Sequence, residues 1–194
     1  MRIISGSARG RRLLTPKKFM IRPTADRVKE SLFNIMVVIK GGFDQYRVLD
    51  LFAGTGNLGI ESLSRGATQA VFIDNHKDSV ILVAKNLRML GFTERSRVIE
   101  KEALAALRFL EKTEAPFHLV FIDPPYRRGL AERVLEYLAT STLINENSLV
   151  IVEVSSGEIL PTVFDNLKEF DRRIYGDTAI AFFRRTLQEN PKQF

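Results

Sequence analysis

Arg47-Val48-Leu49-Asp50-Leu51-Phe52-Ala53-Gly54-Thr55-Gly56-Asn57-Leu58-Gly59 is the stretch whose reading decides the fold. An apolar run broken only by Asp50 leads into three glycines spaced G-x-G-x-x-G and then into an amphipathic segment. This is a strand, a tight turn that lets a ligand approach the backbone, and a helix whose first amides point at that ligand. The same alternation continues along the chain. Strand-like runs fall at 47–51, 69–74, 97–100, 117–123 and 148–154, and helical spacing falls at 57–65, 76–90, 103–112 and 130–140. Nearly continuous apolar strands separated by helices imply a parallel sheet covered on both faces and built from right-handed crossovers. The runs 168–175 and 178–185, joined by Gly176-Asp177, add an antiparallel hairpin at the end of the sheet. The expected fold is α/β and doubly wound, Rossmann-like and mostly parallel.

The chain upstream of this unit is basic. Residues 1–40 carry ten Lys or Arg against two acids, a charge of +8, whereas the whole chain carries +6 and the remainder is therefore −2. Residues 1–22 contain seven cations and no acid, with two short β-prone pieces at 2–5 and 11–15. They read as a small hairpin or arm able to meet a phosphate backbone, or alternatively as a solubilising terminus. A helix follows Pro23, with Thr24 as its expected N-cap and Val28, Leu32, Ile35 or Met36, and Ile39 on one face, until Gly41-Gly42 ends it. The expected domains are a basic arm over 1–22, the α/β domain over 23–186 and a tail over 187–194.

Composition excludes several classes. The 194 residues are 45% apolar and 27% charged, the values of one soluble domain. No apolar run exceeds five residues, so neither a membrane span nor a signal-peptide core is expected, and the expected compartment is the cytosol. With no cysteine and only His76 and His118 as imidazoles, no metal site is expected.

Ligands of an open α/β sheet bind outside the carboxyl ends of its strands. The first strand carries Asp50 and runs into Gly54-Thr55-Gly56; the second ends in Asp74; the third is followed by Glu102; the fourth ends in Asp123. The glycine pattern with Asp74 twenty residues after Gly54 would suit NAD, which leaves an oxidoreductase as one reading. Asp50 argues against it, because a carboxylate beside the loop repels a pyrophosphate. S-adenosylmethionine carries a sulfonium and an ammonium and no phosphate, and suits this acidic edge better. Asp74 would meet its ribose and Glu102, or the backbone beside it, its adenine. The alternative for Glu102 is a cap on the helix that follows.

Asp123-Pro124-Pro125-Tyr126 stands directly behind Leu119-Val120-Phe121-Ile122. Prolines donate no amide hydrogen, so the Asp123 carboxylate and the Pro124 carbonyl form an acceptor-rich surface followed by an aromatic ring. An exocyclic amine of a base can give its two hydrogens to these acceptors while Tyr126 stacks on the ring. The alternative is that Pro124-Pro125 only punctuates a loop.

Leu49-Asp50-Leu51-Phe52-Ala53-Gly54-Thr55-Gly56 together with Asp123-Pro124-Pro125-Tyr126 resembles the class I S-adenosylmethionine-dependent methyltransferases that act on an amino group. Arg2-Ile3-Ile4-Ser5-Gly6, Arg9-Gly10-Arg11, the run from Arg22-Pro23-Thr24 to Phe33-Asn34, and the run from Leu58-Gly59-Ile60-Glu61 to Gly66-Ala67 resemble the bacterial small-subunit ribosomal RNA guanine-N2 methyltransferases. The resemblance covers nearly the whole chain. It implies a class I methyltransferase sheet and transfer of one methyl group to the exocyclic N2 of a guanine in 16S ribosomal RNA, within a 30S particle or its assembly intermediate.

The expected cofactor contacts are then Asp50, Phe52, Ala53, Gly54, Thr55, Gly56, Asp74, Asn75, Glu102 and Ala103. The expected catalytic group is Asp123, Pro124, Pro125 and Tyr126. Arg9, Arg11, Arg12, Lys17, Lys18 and Arg22 are expected to grip phosphates, with Arg127 and Arg128 at the mouth of the site or simply solvated at a helix start. The helix after Pro23 either closes over the cofactor or serves as plain core. Family members often carry aspartate at the position of Glu102 and glutamate near Asp74, and some carry phenylalanine at Tyr126. Two rival functions share parts of this pattern: an adenine-N6 methyltransferase, and a non-catalytic RNA-binding ribosome-assembly factor. A monomer of 22.1 kDa is expected.

Overall fold

The computed structural model describes residues 1–16, 23–125 and 129–186. Lys17, Lys18, Arg22, Tyr126, Arg127, Arg128 and the tail 187–194 lie outside the described residues.

The elements are α1 (Pro23–Lys40), β1 (Arg47–Leu51), α2 (Asn57–Ser64), β2 (Gln69–Asp74), α3 (Lys77–Leu90), β3 (Ser96–Glu100), α4 (Ala103–Leu110), β4 (Leu119–Ile122), α5 (Leu130–Thr140), β5 (Leu149–Ser155), β6 (Val163–Phe164), β7 (Leu167–Tyr175) and β8 (Thr178–Arg185). One sheet holds all eight strands in the order β3-β2-β1-β4-β5-β8-β7-β6. The first five are parallel, and β8, β7 and β6 join antiparallel. The expected doubly wound sheet with an antiparallel C-terminal hairpin is therefore the observed fold.

Alternation along the strands divides the core into two layers. Leu49, Leu51, Val71, Ile73, Val120 and Ile122 pack under α4 and α5, whereas Val48, Phe72, Leu119 and Phe121 pack under α1, α2 and α3. Both faces of β1, β2, β4 and β5 are thus dry, which is why these strands read as apolar runs rather than as alternating ones, whereas the edge strand β3 has no buried residue.

Several boundaries differ from expectation for local reasons. The first helix begins at Pro23, so Thr24 lies inside it rather than capping it. Proline suits a first helical turn because its φ is preset and the missing amide has no partner there. The fourth strand is shorter than 117–123, because the Phe117 amide turns to the Leu143 carbonyl at 2.8 Å instead of a ladder partner. The two-residue β6 and a 3-10 turn at Thr93–Arg95 have no periodicity to announce them.

The arm is a small hairpin closed by an antiparallel bridge between Arg2 and Arg12, with the Ile3 amide donating to the Arg11 carbonyl at 2.9 Å. It lies against the domain. Ile3, Ala8 and Leu13 are buried in the α1–α3 layer, and Gly6 is so close to α2 that a Cβ there would fall 1.8 Å from the Ser64 carbonyl oxygen.

Candidate active site

The strand order reverses direction between β1 and β4, and the crevice at that switch point opens at the carboxyl edge of the sheet. A cleft of about 590 Å³ lies there, within the range of ligand sites. Asp50, Phe52, Ala53, Gly54, Thr55 and Asp123 all line it. Six of the residues singled out in the sequence are thereby brought together.

The glycine turn is shaped by backbone geometry. Gly54 and Gly56 have φ of +56° and +78°, and Phe52 takes φ of +65°, a strained value for a residue with a side chain. Gly59 answers a packing need instead: a Cβ there would fall 2.4 Å from the Phe72 ring. The close approach lets the Gly59 amide donate to Asp50 Oδ2 at 2.9 Å. Asp50 is almost fully buried, and its carboxyl is pushed up to about 7, chiefly by burial and further by the charge of Asp74, with the Gly59 hydrogen bond opposing.

Asp74 does not line the cleft but holds the glycine turn in place. Its Oδ2 accepts from the Gly54 amide and its Oδ1 from the His76 amide, both at 2.9 Å. A carboxylate has about four acceptor sites, so each oxygen retains a lone pair for a further donor. Asn75 is exposed beside it. Glu102 is exposed at the start of α4 and makes no side-chain capping bond, so its carboxylate is not spent on the cap. The Lys101 amide donates to the Asp74 carbonyl at 3.0 Å, which keeps Glu102 on the same edge as Asp74. Ala103 is buried in the α4–α5 layer.

Asp123 follows the last residue of β4 and keeps an exposed surface in the cleft. Its carboxyl is raised well above the ordinary range by desolvation, then by the charges of Glu153 and Asp50. Pro124 is buried and Pro125 exposed. Tyr126, Arg127 and Arg128 lie outside the described residues. In the arm, Arg9, Arg11 and Arg12 are exposed, and Arg11 spends one donor on the Met89 carbonyl at 2.9 Å.

Four contributors were not legible beforehand as site residues. Lys29 of α1 is the only lysine or arginine among the described residues lining the cleft. Its Nζ pairs with Glu61 Oε2 at 3.1 Å and donates to the Arg2 carbonyl at 2.6 Å and Asn57 Oδ1 at 2.8 Å. Burial lowers its pKa, against the pull of Glu61. Met1 of the arm, Glu153 of β5 and Tyr175 of β7 complete other walls, Tyr175 being hydrogen-bonded to Ser31 of α1 at 2.7 Å. An acid within the apolar run 149–154 was the available signal for Glu153.

Comparison with known proteins gives the family. The family model described as conserved hypothetical protein 95 matches residues 1–184. The chain is 36% identical to ribosomal RNA small subunit methyltransferase D of Escherichia coli (strain K12) over 97% of this chain and 91% of that protein. It is 37% identical to the protein of the same name from Haemophilus influenzae, over 87% of each chain. The solved structure of Escherichia coli yhhF superposes with a TM-score of 0.82 at 36% identity, covering 97% of this chain and 99% of that one. The chain belongs to the conserved hypothetical protein 95 family, that of the small-subunit ribosomal RNA methyltransferases D.

Proposed function

We propose that this chain transfers a methyl group from S-adenosylmethionine to the exocyclic N2 of a guanine in 16S ribosomal RNA, in the 30S subunit or an assembly intermediate. The observation that carries the reading is Asp123-Pro124 at the end of β4, opening into the same cleft as Asp50 and the Gly54-Thr55-Gly56 turn. The relatives' printed names point to the same RNA.

The lining suits this cofactor. Asp50, Asp78, Asp123, Glu153 and Asp177 all face the cleft, while Lys29 is held by Glu61, Asn57 and the Arg2 carbonyl. Such a surface attracts a sulfonium and an ammonium and repels a pyrophosphate, which disfavours the NAD reading of the glycine pattern. When bound, S-adenosylmethionine supplies an electrophilic methyl carbon; transfer leaves S-adenosylhomocysteine, and nitrogen loses one proton to solvent. Asp50 and the glycine turn would hold the amino-acid end, Phe52, Ala53, Thr55 and Gly56 the wall beside it, and Asp74, Asn75, Glu102 and Ala103 the adenosine side.

The remaining work falls to this chain's own groups. Asp123 and the Pro124 carbonyl orient N2 by its two hydrogens, and Asp123 stabilises the positive charge that develops there. Pro125 stiffens the turn and Tyr126 would stack on the base. Arg9, Arg11, Arg12, Lys17, Lys18 and Arg22 would engage phosphates, and Arg127 and Arg128 would sit at the mouth. In this reading residues 1–22 serve as the RNA-binding arm, 23–186 as the methyltransferase domain and 187–194 as a tail, in a cytoplasmic monomer.

The test is transfer of labelled methyl groups to undermethylated 30S particles and to naked 16S RNA, with the product nucleotide located. N2-methylguanosine at one position, lost at least about a hundredfold in Asp123→Asn while cofactor binding persists, is the expected result. Label on adenine N6, or none despite cofactor binding, would overturn the guanine reading in favour of its rivals.

A further inference from the structure

Beside Asp123 the cleft carries another acid, Glu153, to which the chemistry above gives no step. Val152 of β5 pairs with Ile122 of β4 in parallel register, so one step outward brings Glu153 level with Asp123. Val152 and Val154 belong to the α4–α5 layer and Ile151 to the opposite one. Alternation therefore sets Glu153 on the face of the sheet that carries Ile151, and it sets Asp123 on the face of Phe121, in that same layer. Both acids line the cleft, Glu153 half-buried. Their proximity is also felt electrostatically, since the charge of Glu153 helps to raise the Asp123 carboxyl.

Two neighbouring carboxylates select for a base edge with two neighbouring N–H donors. Guanine presents N1–H next to its N2 amine. Adenine and cytosine present a ring-nitrogen lone pair next to theirs, which a second carboxylate repels. A site built to accept a substrate N–H also rejects analogues that lack it far more strongly than a hydrophobic pocket rejects a misfit. We propose that Glu153 accepts the N1–H of the target guanine while Asp123 holds an N2 hydrogen, so that Glu153 is the residue that tells guanine from adenine. The inference rests on the proposed function and adds a specificity determinant to it. A carboxylate has about four acceptor sites, so contacts of Glu153 within the protein leave room for this one.

The experiment uses 30S particles reconstituted with semi-synthetic 16S RNA that carries guanosine or 2-aminopurine at the methylated position. 2-Aminopurine keeps the exocyclic amine but has a lone pair at N1. Wild-type enzyme should favour guanosine in kcat/KM by about a hundredfold or more. In Glu153→Gln the amide can donate to that lone pair and accepts from N1–H only as a neutral group. Its kcat/KM on guanosine should fall about tenfold while activity on 2-aminopurine holds or rises, narrowing the preference at least tenfold. Equal losses on both bases would show a merely structural role and overturn the inference, as would an unchanged ratio or a wild type that accepts both bases alike. A wild type that labels neither, despite binding cofactor, would instead overturn the proposed function itself.

Discussion

Replacing Glu61 with alanine should be among the most damaging single changes outside the chemistry. Glu61 is fully buried in α2 and gathers four donors: the amides of Ile4 at 2.8 Å and Ser5 at 3.0 Å, Arg65 Nε at 2.9 Å and Lys29 Nζ at 3.1 Å. Its removal leaves Lys29, itself 3% exposed, as a buried cation without its partner. Breaking one side of a buried pair costs about 3–5 kcal/mol. For a chain of this length each kcal/mol lowers Tm by about 2–4 °C, so a fall of about 6–20 °C is expected by scanning calorimetry. Lys29→Met should cost less, because Glu61 keeps three other donors, and the double variant should fall short of the sum of the two. Amide exchange supplies a local readout, since residues 1–13 should lose protection before the parallel sheet does. A Glu61→Ala protein within about 0.5 kcal/mol of wild type, or one whose arm exchanges no faster, would refute the reasoning.

Asp50 predicts a pH dependence. Its raised carboxyl, at about 7, means that the folded protein without cofactor holds a proton the unfolded chain has already lost above about pH 4, so this group's contribution to stability declines as pH rises from about 4 to about 7. A cationic ligand prefers the ionised form. S-adenosylmethionine affinity should therefore strengthen up to about tenfold per pH unit from 5 toward 7 with proton release, and flatten in Asp50→Asn, as titration calorimetry in buffers of different ionisation enthalpy would read. Gly59→Ala should cost about 1–3 kcal/mol in urea denaturation, because its Cβ meets the Phe72 ring at 2.4 Å; Phe72→Leu should recover part of the loss, and a neutral Gly59→Ala would contradict the packing argument. Removing Arg9 and Arg12 should reduce the slope of log affinity for RNA against log salt by about 0.7–0.9 per lost phosphate contact, and an unchanged slope would take the arm out of the interface.

The fold was largely legible because its signals are local. The strands at 47–51 and 69–74 match the observed β1 and β2 residue for residue, since both faces are buried and the apolar runs have sharp ends. The site was legible where a motif brings its own geometry, as in the glycine turn and Asp123-Pro124. What escaped depends on partners far apart in the chain. Glu61 meets Ile4 across 57 positions, and Asn86 binds the Leu14 backbone across 72. A buried acid or amide within a helix looks in sequence like any polar residue on a solvated face. The spacing of Asp74 after Gly54 suggested a ligand contact, and the structure shows that the same carboxylate also anchors the turn by accepting the Gly54 amide.

The order of the strands sets an order of assembly. β8 is the last strand among the described residues yet sits inside the sheet, between β5 and β7. Arg185 at its end donates to the carbonyls of Leu138, Ala139 and Ser141, closing the terminus of α5. Until residues 178–185 have been synthesised, β5 therefore ends the sheet with an open edge and β7 has no full-length partner. Thr178 and Ile180 also belong to the wall of the cleft. A nascent chain can thus dock its arm on α2 and α3 early, while its cleft stays incomplete until residues 178–185 have emerged.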